Sequence, residues 1–172
     1  MVKNCRFGML PFAFLMAFFL VSAVTAAGSG VLSVANASEV TLGTSENVTI
    51  CLTNNYDPEL GSFNFFLYFD PEIISTNYDT VYPIYDKSVA PTYNVYPTYI
   101  DLGGYQLGMR GYPNGELYLY NVSFKALTND GSVSKLRMES LFFNDMRGDE
   151  LPVTIINGTF KTKDEVPPVI TL

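Results

Sequence analysis

The chain contains no histidine and no tryptophan, and only two of its 172 residues are cysteine. Without imidazole there is no Ser-His-Asp or Cys-His nucleophile pair, no histidine-ligated zinc and no haem held by an axial histidine. Carboxylate-pair hydrolysis stays chemically open because 17 residues are Asp or Glu. None of them falls into a recognisable acid–base constellation. The expectation is therefore a non-catalytic protein with no cofactor and no bound metal. Basic residues are also scarce: 10 Lys and Arg leave a net charge of −7. That balance argues against a nucleic-acid partner or an anionic membrane surface.

What the chain has in excess at its start is apolar length. Lys3 and Arg6 form a short basic region ahead of "GMLPFAFLMAFFLVSAV", which runs into the small residues of "TAAGSG". This is the pattern of a secretory signal peptide, with cleavage after Ala26 or Ala27. An uncleaved anchor is the alternative, and membrane contact is expected through this segment alone. Cys5 precedes the apolar run, so there is no lipobox. Removing residues 1–27 leaves eight basic residues against 17 acidic ones, about −9, and leaves Cys51 as the only thiol. No intramolecular disulfide is then possible, and residues 28–163 must be held together by a hydrophobic core of ordinary single-domain size. Cys51 itself reads as a small half-buried strand residue.

From there on the pattern is strands and turns. In "ENVTICLTNN" Val48, Ile50 and Leu52 share a face, and Cys51 points the other way. "SFNFFLYFDPEI" (62–73) separates into Phe63, Phe65, Leu67 and Phe69 on one side and Ser62, Asn64, Phe66 and Tyr68 on the other. One list lines a core; the other faces water or a partner. Residues 80–97 carry prolines and recurring tyrosines and read as a long loop or irregular edge, followed by a strand near 98–107. "GELYLYNVSFKAL" alternates Leu117, Leu119 and Asn121 against Tyr118, Tyr120, Val122 and Phe124. "SVSKLRMESLFFND" and "ELPVTIINGTFKTK" supply further strands around the turn "DMRGDE". Asp145, Asp149 and Glu150 there lack EF-hand spacing and read as a solvated hairpin turn. The whole is an all-β antiparallel sandwich or jelly roll of about nine strands.

Four N-x-S/T sequons, at Asn36, Asn47, Asn121 and Asn157, make glycosylation sites in an exported chain. The tail "KDEVPPVITL" changes character, so residues 164–172 are expected to be a linker or the start of a following Ig-like domain.

Three stretches resemble the cohesin family. "LGSFNFFLYFDPEII" (60–74), "NGELYLYNVSFKAL" (114–127) and "FNDMRGDELPVTIINGTF" (143–160) match, in order and spacing, its G-x-F-x-x-Y-D-P-x-x-L, G-x-L-x-x-x-x-F-x-A and D-x-x-G-x-x-x-P-V…N-G-T patterns. The matching positions run from Gly61 to Ile74, Gly115 to Ala126 and Asp145 to Phe160. The resemblance implies a nine-stranded jelly roll and a non-catalytic role. It implies a dockerin-bearing or other surface protein as partner, a dockerin being a small calcium-loaded helical pair. It also implies a secreted or cell-surface location. The polar positions of the aromatic strand, Ser62 and Asn64, then become partner contacts, with Phe66 and Tyr68 beside them. Two alternatives stay open. One is a carbohydrate-binding module that stacks a polysaccharide on Tyr82, Tyr85, Tyr93, Tyr96 and Tyr99. The other is a structural surface-layer or adhesion module without a discrete ligand.

Overall fold

The computed structural model describes residues 28–84, 89–108 and 110–167. The expected leader, Tyr85 and the last five residues lie outside them. Two six-stranded sheets face each other. The first runs β11 (Val153–Ile156), β1 (Gly30–Val34), β3 (Ser45–Asn54), β9 (Gly115–Ala126) and β5 (Ile74–Ser75), with β6 (Val81–Pro83) also paired to β9. The second runs β2 (Ala37–Val40), β12 (Gly158–Thr162), β10 (Val133–Asp145), β4 (Leu60–Tyr68), β8 (Tyr99–Gln106) and β7 (Val89–Val95).

The sandwich is as expected, but the described residues form twelve strand segments instead of about nine. The extra ones are short. The alternating "VLSVANASEV" run becomes β1 and β2, which lie in different sheets. Near the other terminus β11 and β12 cross between the same two sheets beside them. Each crossing segment pairs parallel with its neighbour, β1 with β11 and β2 with β12; the other ladders are antiparallel. Asn36 stitches the two crossings, its Oδ1 accepting the Thr159 N–H at 2.8 Å. Gly158 permits the approach, because a Cβ there would meet the Val34 carbonyl oxygen at 2.8 Å.

The core lies between the sheets. From β4 come Phe63, Phe65 and Leu67; from β3 and β9 come Val48, Ile50, Leu52, Tyr120, Val122 and Phe124, all essentially sealed from water. Tyr120 reaches across and donates to the carbonyls of Gly103 and Thr92, tying the first sheet to β8 and β7. Phe124 meets Phe69 edge-on at 5.3 Å and Phe160 at 6.2 Å.

Two readings of the sequence are corrected here. Residues 80–97 are not a loop throughout: a 3-10 turn at Tyr78–Thr80 is followed by β6 and β7, and Val81 and Val89 are buried. Pro91 masks this because β7 is an edge strand, where a missing N–H does no harm, and Pro97 lies in the turn after it. In β9 the simple alternation fails. A bulge opposite Ile50 and Cys51 lets Leu119 and Tyr120 both turn inward, so Tyr118 is exposed while Tyr120 is buried. Just beyond β12, Asp164 bridges Asp130, and the Glu165 N–H donates to Asn129 O at 2.8 Å.

The "DMRGDE" turn closes on one carboxylate. Asp145 Oδ1 accepts the N–H groups of Arg147 (2.7 Å) and Asp149 (2.9 Å). Burial pushes the Asp145 pKa up, but these amides, that of Gly148 and the Arg147 charge outweigh it and leave the carboxyl below its ordinary value. Among the described residues no group of three His, Cys, Asp or Glu side chains is placed to hold a metal.

Candidate partner-binding face

The outward list of the aromatic strand lies on the outer face of the second sheet, where β4 is flanked by β8 and β10. Cross-strand register places Ser62 beside Tyr105 and Asn144. Asn64 lies beside Gly103 and Phe142, Phe66 beside Asp101 and Glu139, and Tyr68 beside Tyr99 and Arg137. All four β4 side chains are half-buried, as a central strand requires, while their inward neighbours are sealed.

One end of the face is aromatic. Phe66 meets Tyr99 edge-on at 5.2 Å and Tyr68 at 6.0 Å, and Tyr96 stacks on Tyr99 at 4.5 Å. Arg137 lies over the Tyr68 ring, its guanidinium carbon 4.2 Å from the centroid, and pairs with Glu139 at 3.0 Å. Partial desolvation, then the neighbouring Tyr96, Asp101 and Tyr68, push the Tyr99 phenol upward.

The middle is polar and shallow. Asn64 Nδ2 donates to Asp101 Oδ1 at 3.0 Å, while Asn64 Oδ1 is covered and has no partner. Gly103 keeps this spot open: a Cβ there would meet Asn64 Nδ2 at 3.0 Å and Thr92 Oγ1 at 2.8 Å. At the far end a β10 bulge between Ser140 and Phe142 turns Leu141 and Phe142 outward, beside the exposed Tyr105. Apolar ends around a hydrogen-bonding centre are what a docked protein needs. Next to the aromatic end a groove of about 900 Å³ is lined by Asp70, Pro71, Lys135 and Asn157, with Tyr68 and Arg137 on its rim.

The structure thus gathers Ser62, Asn64, Phe66 and Tyr68 on one surface and adds Tyr96 and Tyr99 to it. It does not gather the tyrosines. Tyr82 lies on the first sheet, and Tyr93 stacks on Tyr78 at 4.6 Å and leans on Tyr120. Sequence reasoning missed Asp101, Tyr105, Arg137, Glu139, Leu141 and Phe142 as members of the face. The signal for the β8 residues was present, since Tyr99, Asp101, Gly103 and Tyr105 alternate with Ile100 and Leu102. What was lacking was the register that sets them against β4.

No family model and no curated protein sequence matches this chain. Solved structures do. The non-cellulosomal cohesin of the archaeon Archaeoglobus fulgidus superposes with a TM-score of 0.63 at 20% identity, over 78% of this chain and 91% of that one. The fold is that of the cohesins. A chain of the type I Coh-OlpC–Doc435 cohesin–dockerin complex of Clostridium thermocellum superposes on the same fold with a TM-score of 0.68 at 18% identity, over 83% and 98% of the two chains. The seventh ScaB type I cohesin of Pseudobacteroides cellulosolvens gives 0.66 at 14% identity, over 83% and 97%.

Proposed function

We propose that this chain is a non-catalytic, exported recognition module that takes a dockerin-bearing protein onto the outer face of β10, β4, β8 and β7. Three things support the reading: the cohesin fold, the presence of cohesin–dockerin complexes among its structural neighbours, and the make-up of the face. The observation that carries it is the juxtaposition at Asn64, where an unsatisfied carbonyl oxygen and the Asp101 carboxylate sit between two apolar ends. A partner helix bearing hydroxyl or amide donors between apolar residues would pair with the Asp101 carboxylate while its apolar residues cover the two ends. In this reading residues 1–27 are removed on export, residues 28–163 form the binding domain outside the cell or on its surface, and residues 164–172 lead away from it.

The test is capture of calcium-loaded dockerin proteins by the immobilised chain, repeated in EDTA, with polysaccharides run in the same format. Calcium-dependent capture that is lost in Asn64→Lys supports the reading. Retention on a polysaccharide without any dockerin capture overturns it in favour of a sugar-binding module.

A further inference from the structure

The opposite outer face, on the first sheet, has a different character, and two sequons meet on it. β3 and β9 are antiparallel, with Asn47 opposite Ser123 and Thr49 opposite Asn121. The sequons Asn47-Val-Thr49 and Asn121-Val-Ser123 are therefore in register, each asparagine facing the hydroxyl residue of the other. Both valines between them, Val48 and Val122, point inward and are buried. The four polar members all stand on the outer surface. Thr49 Oγ1 donates to Asn121 Oδ1 at 2.7 Å. This bond engages the Asn121 carbonyl oxygen and leaves β6 as the other neighbour of Asn121. The residue opposite Asn121 on β6 is Tyr82, which is 53% exposed. Tyr118, the preceding outward residue of β9, is equally exposed at 53%. Asn121 is thus flanked by two exposed tyrosines, which lie on the sheet opposite to β4.

We propose that Asn47 and Asn121 are N-glycosylated and that the glycan on Asn121 seats its first sugar against Tyr82. An attached sugar presents an apolar ring face to which a phenol is complementary, while the phenolic hydroxyl stays wet. The donor class is a lipid-linked sugar pyrophosphate. Nδ2 forms a bond to the anomeric carbon, the bond from that carbon to the pyrophosphate oxygen breaks with its electron pair, and the proton lost by Nδ2 leaves with the phosphate group or solvent. β3 and β9 are interior strands whose sequons are paired to each other after folding. Transfer therefore precedes their pairing, during export. The glycans then shield this sheet and leave the β4 face bare. Only that last corollary rests on the docking reading.

The experiment is secretion of the full chain from a eukaryotic host with an oligosaccharyltransferase, followed by peptide mass spectrometry before and after endoglycosidase treatment. Expected is a sugar mass on the peptides containing Asn47 and Asn121. It should be lost at one site in Asn47→Gln, lost at the other in Asn121→Gln, and kept at both in Thr49→Ser. In Tyr82→Ala the Asn121 glycan should be released several-fold faster by the endoglycosidase. Unmodified Asn47 and Asn121 peptides in secreted, folded protein overturn the proposal, and an unchanged release rate in Tyr82→Ala overturns the stacking. Because the readout is mass, it is independent of dockerin capture. Loss of capture on a fully glycosylated chain would count against the docking reading alone.

Discussion

Replacing Phe65 and Phe66 by alanine, one at a time, separates the two faces of β4. Phe65 is fully buried, with its ring 6.0 Å from Phe63. Its removal leaves a cavity between the sheets and costs roughly 3–5 kcal/mol. For a domain of this size that is about 3–5 °C in Tm per kcal/mol, hence a fall of roughly 10–20 °C, out of a total stability of about 5–15 kcal/mol. Phe66, next in the chain, is half-buried on the outside and touches Tyr99 and Tyr68 at 5.2 and 6.0 Å. Its loss removes one edge-on pairing and some half-covered area, about 1–2 kcal/mol, with no cavity. Urea and thermal melts of the two variants should therefore differ by about 1–4 kcal/mol, Phe65→Ala being the less stable. Partner capture should respond in the opposite sense: weakened in Phe66→Ala and retained in Phe65→Ala wherever the latter is folded. Equal destabilisation by both variants, or a larger effect from Phe66→Ala, would refute the assignment of faces.

Gly61→Ala should cost about 2–3 kcal/mol in a chemical melt, because its Cβ would lie 2.7 Å from the Asp145 carbonyl oxygen, where only backbone can yield. Asp145 is held below its ordinary value of 3.8, so its contribution is present above that pH and is lost as pH falls through the lower folded value. Asp145→Asn should therefore melt below the parent at neutral pH, and acid titration should close the gap. Tyr56 runs the other way. Burial raises its pKa from 10.0 to about 12, its hydroxyl packing against the Gly30 backbone. Its stabilising effect is complete below 10.0 and is lost as pH rises toward about 12. Tyr56→Phe should lessen alkaline destabilisation over that range, followed by far-UV circular dichroism against pH.

How far the sequence revealed this structure depends on how regular each strand is. β3 and β4 alternate strictly, and their inward residues could be read directly because side-chain direction has period two. β9 and β10 each carry a bulge, which shifts the phase in mid-strand. A bulge is set by the partner strand, so "LYLYNV" gives no sign that Leu119 and Tyr120 point the same way. The β10 bulge likewise placed Leu141 and Phe142 on the outer face of the second sheet, where no alternation rule would put them. Pro91 concealed β7, since proline argues against a central strand but not against an edge. Of the candidate face, Ser62, Asn64, Phe66 and Tyr68 could be grouped from the sequence because they alternate along one strand. Asp101 and Arg137 were not, because they join the face only through the registers of β8 and β10.

The central claim, that a dockerin-bearing protein docks on the β4 face, is tested most directly by matched substitutions on opposite faces. Calcium-loaded dockerin would be titrated by calorimetry into the parent chain, into Asn64→Lys on the second sheet and into Thr49→Lys on the first. The account predicts binding by the parent and by Thr49→Lys. It also predicts a loss of at least about tenfold in Asn64→Lys, where a charge is forced against the polar centre of the face. Binding that survives Asn64→Lys but fails in Thr49→Lys would place the partner on the other sheet and contradict it.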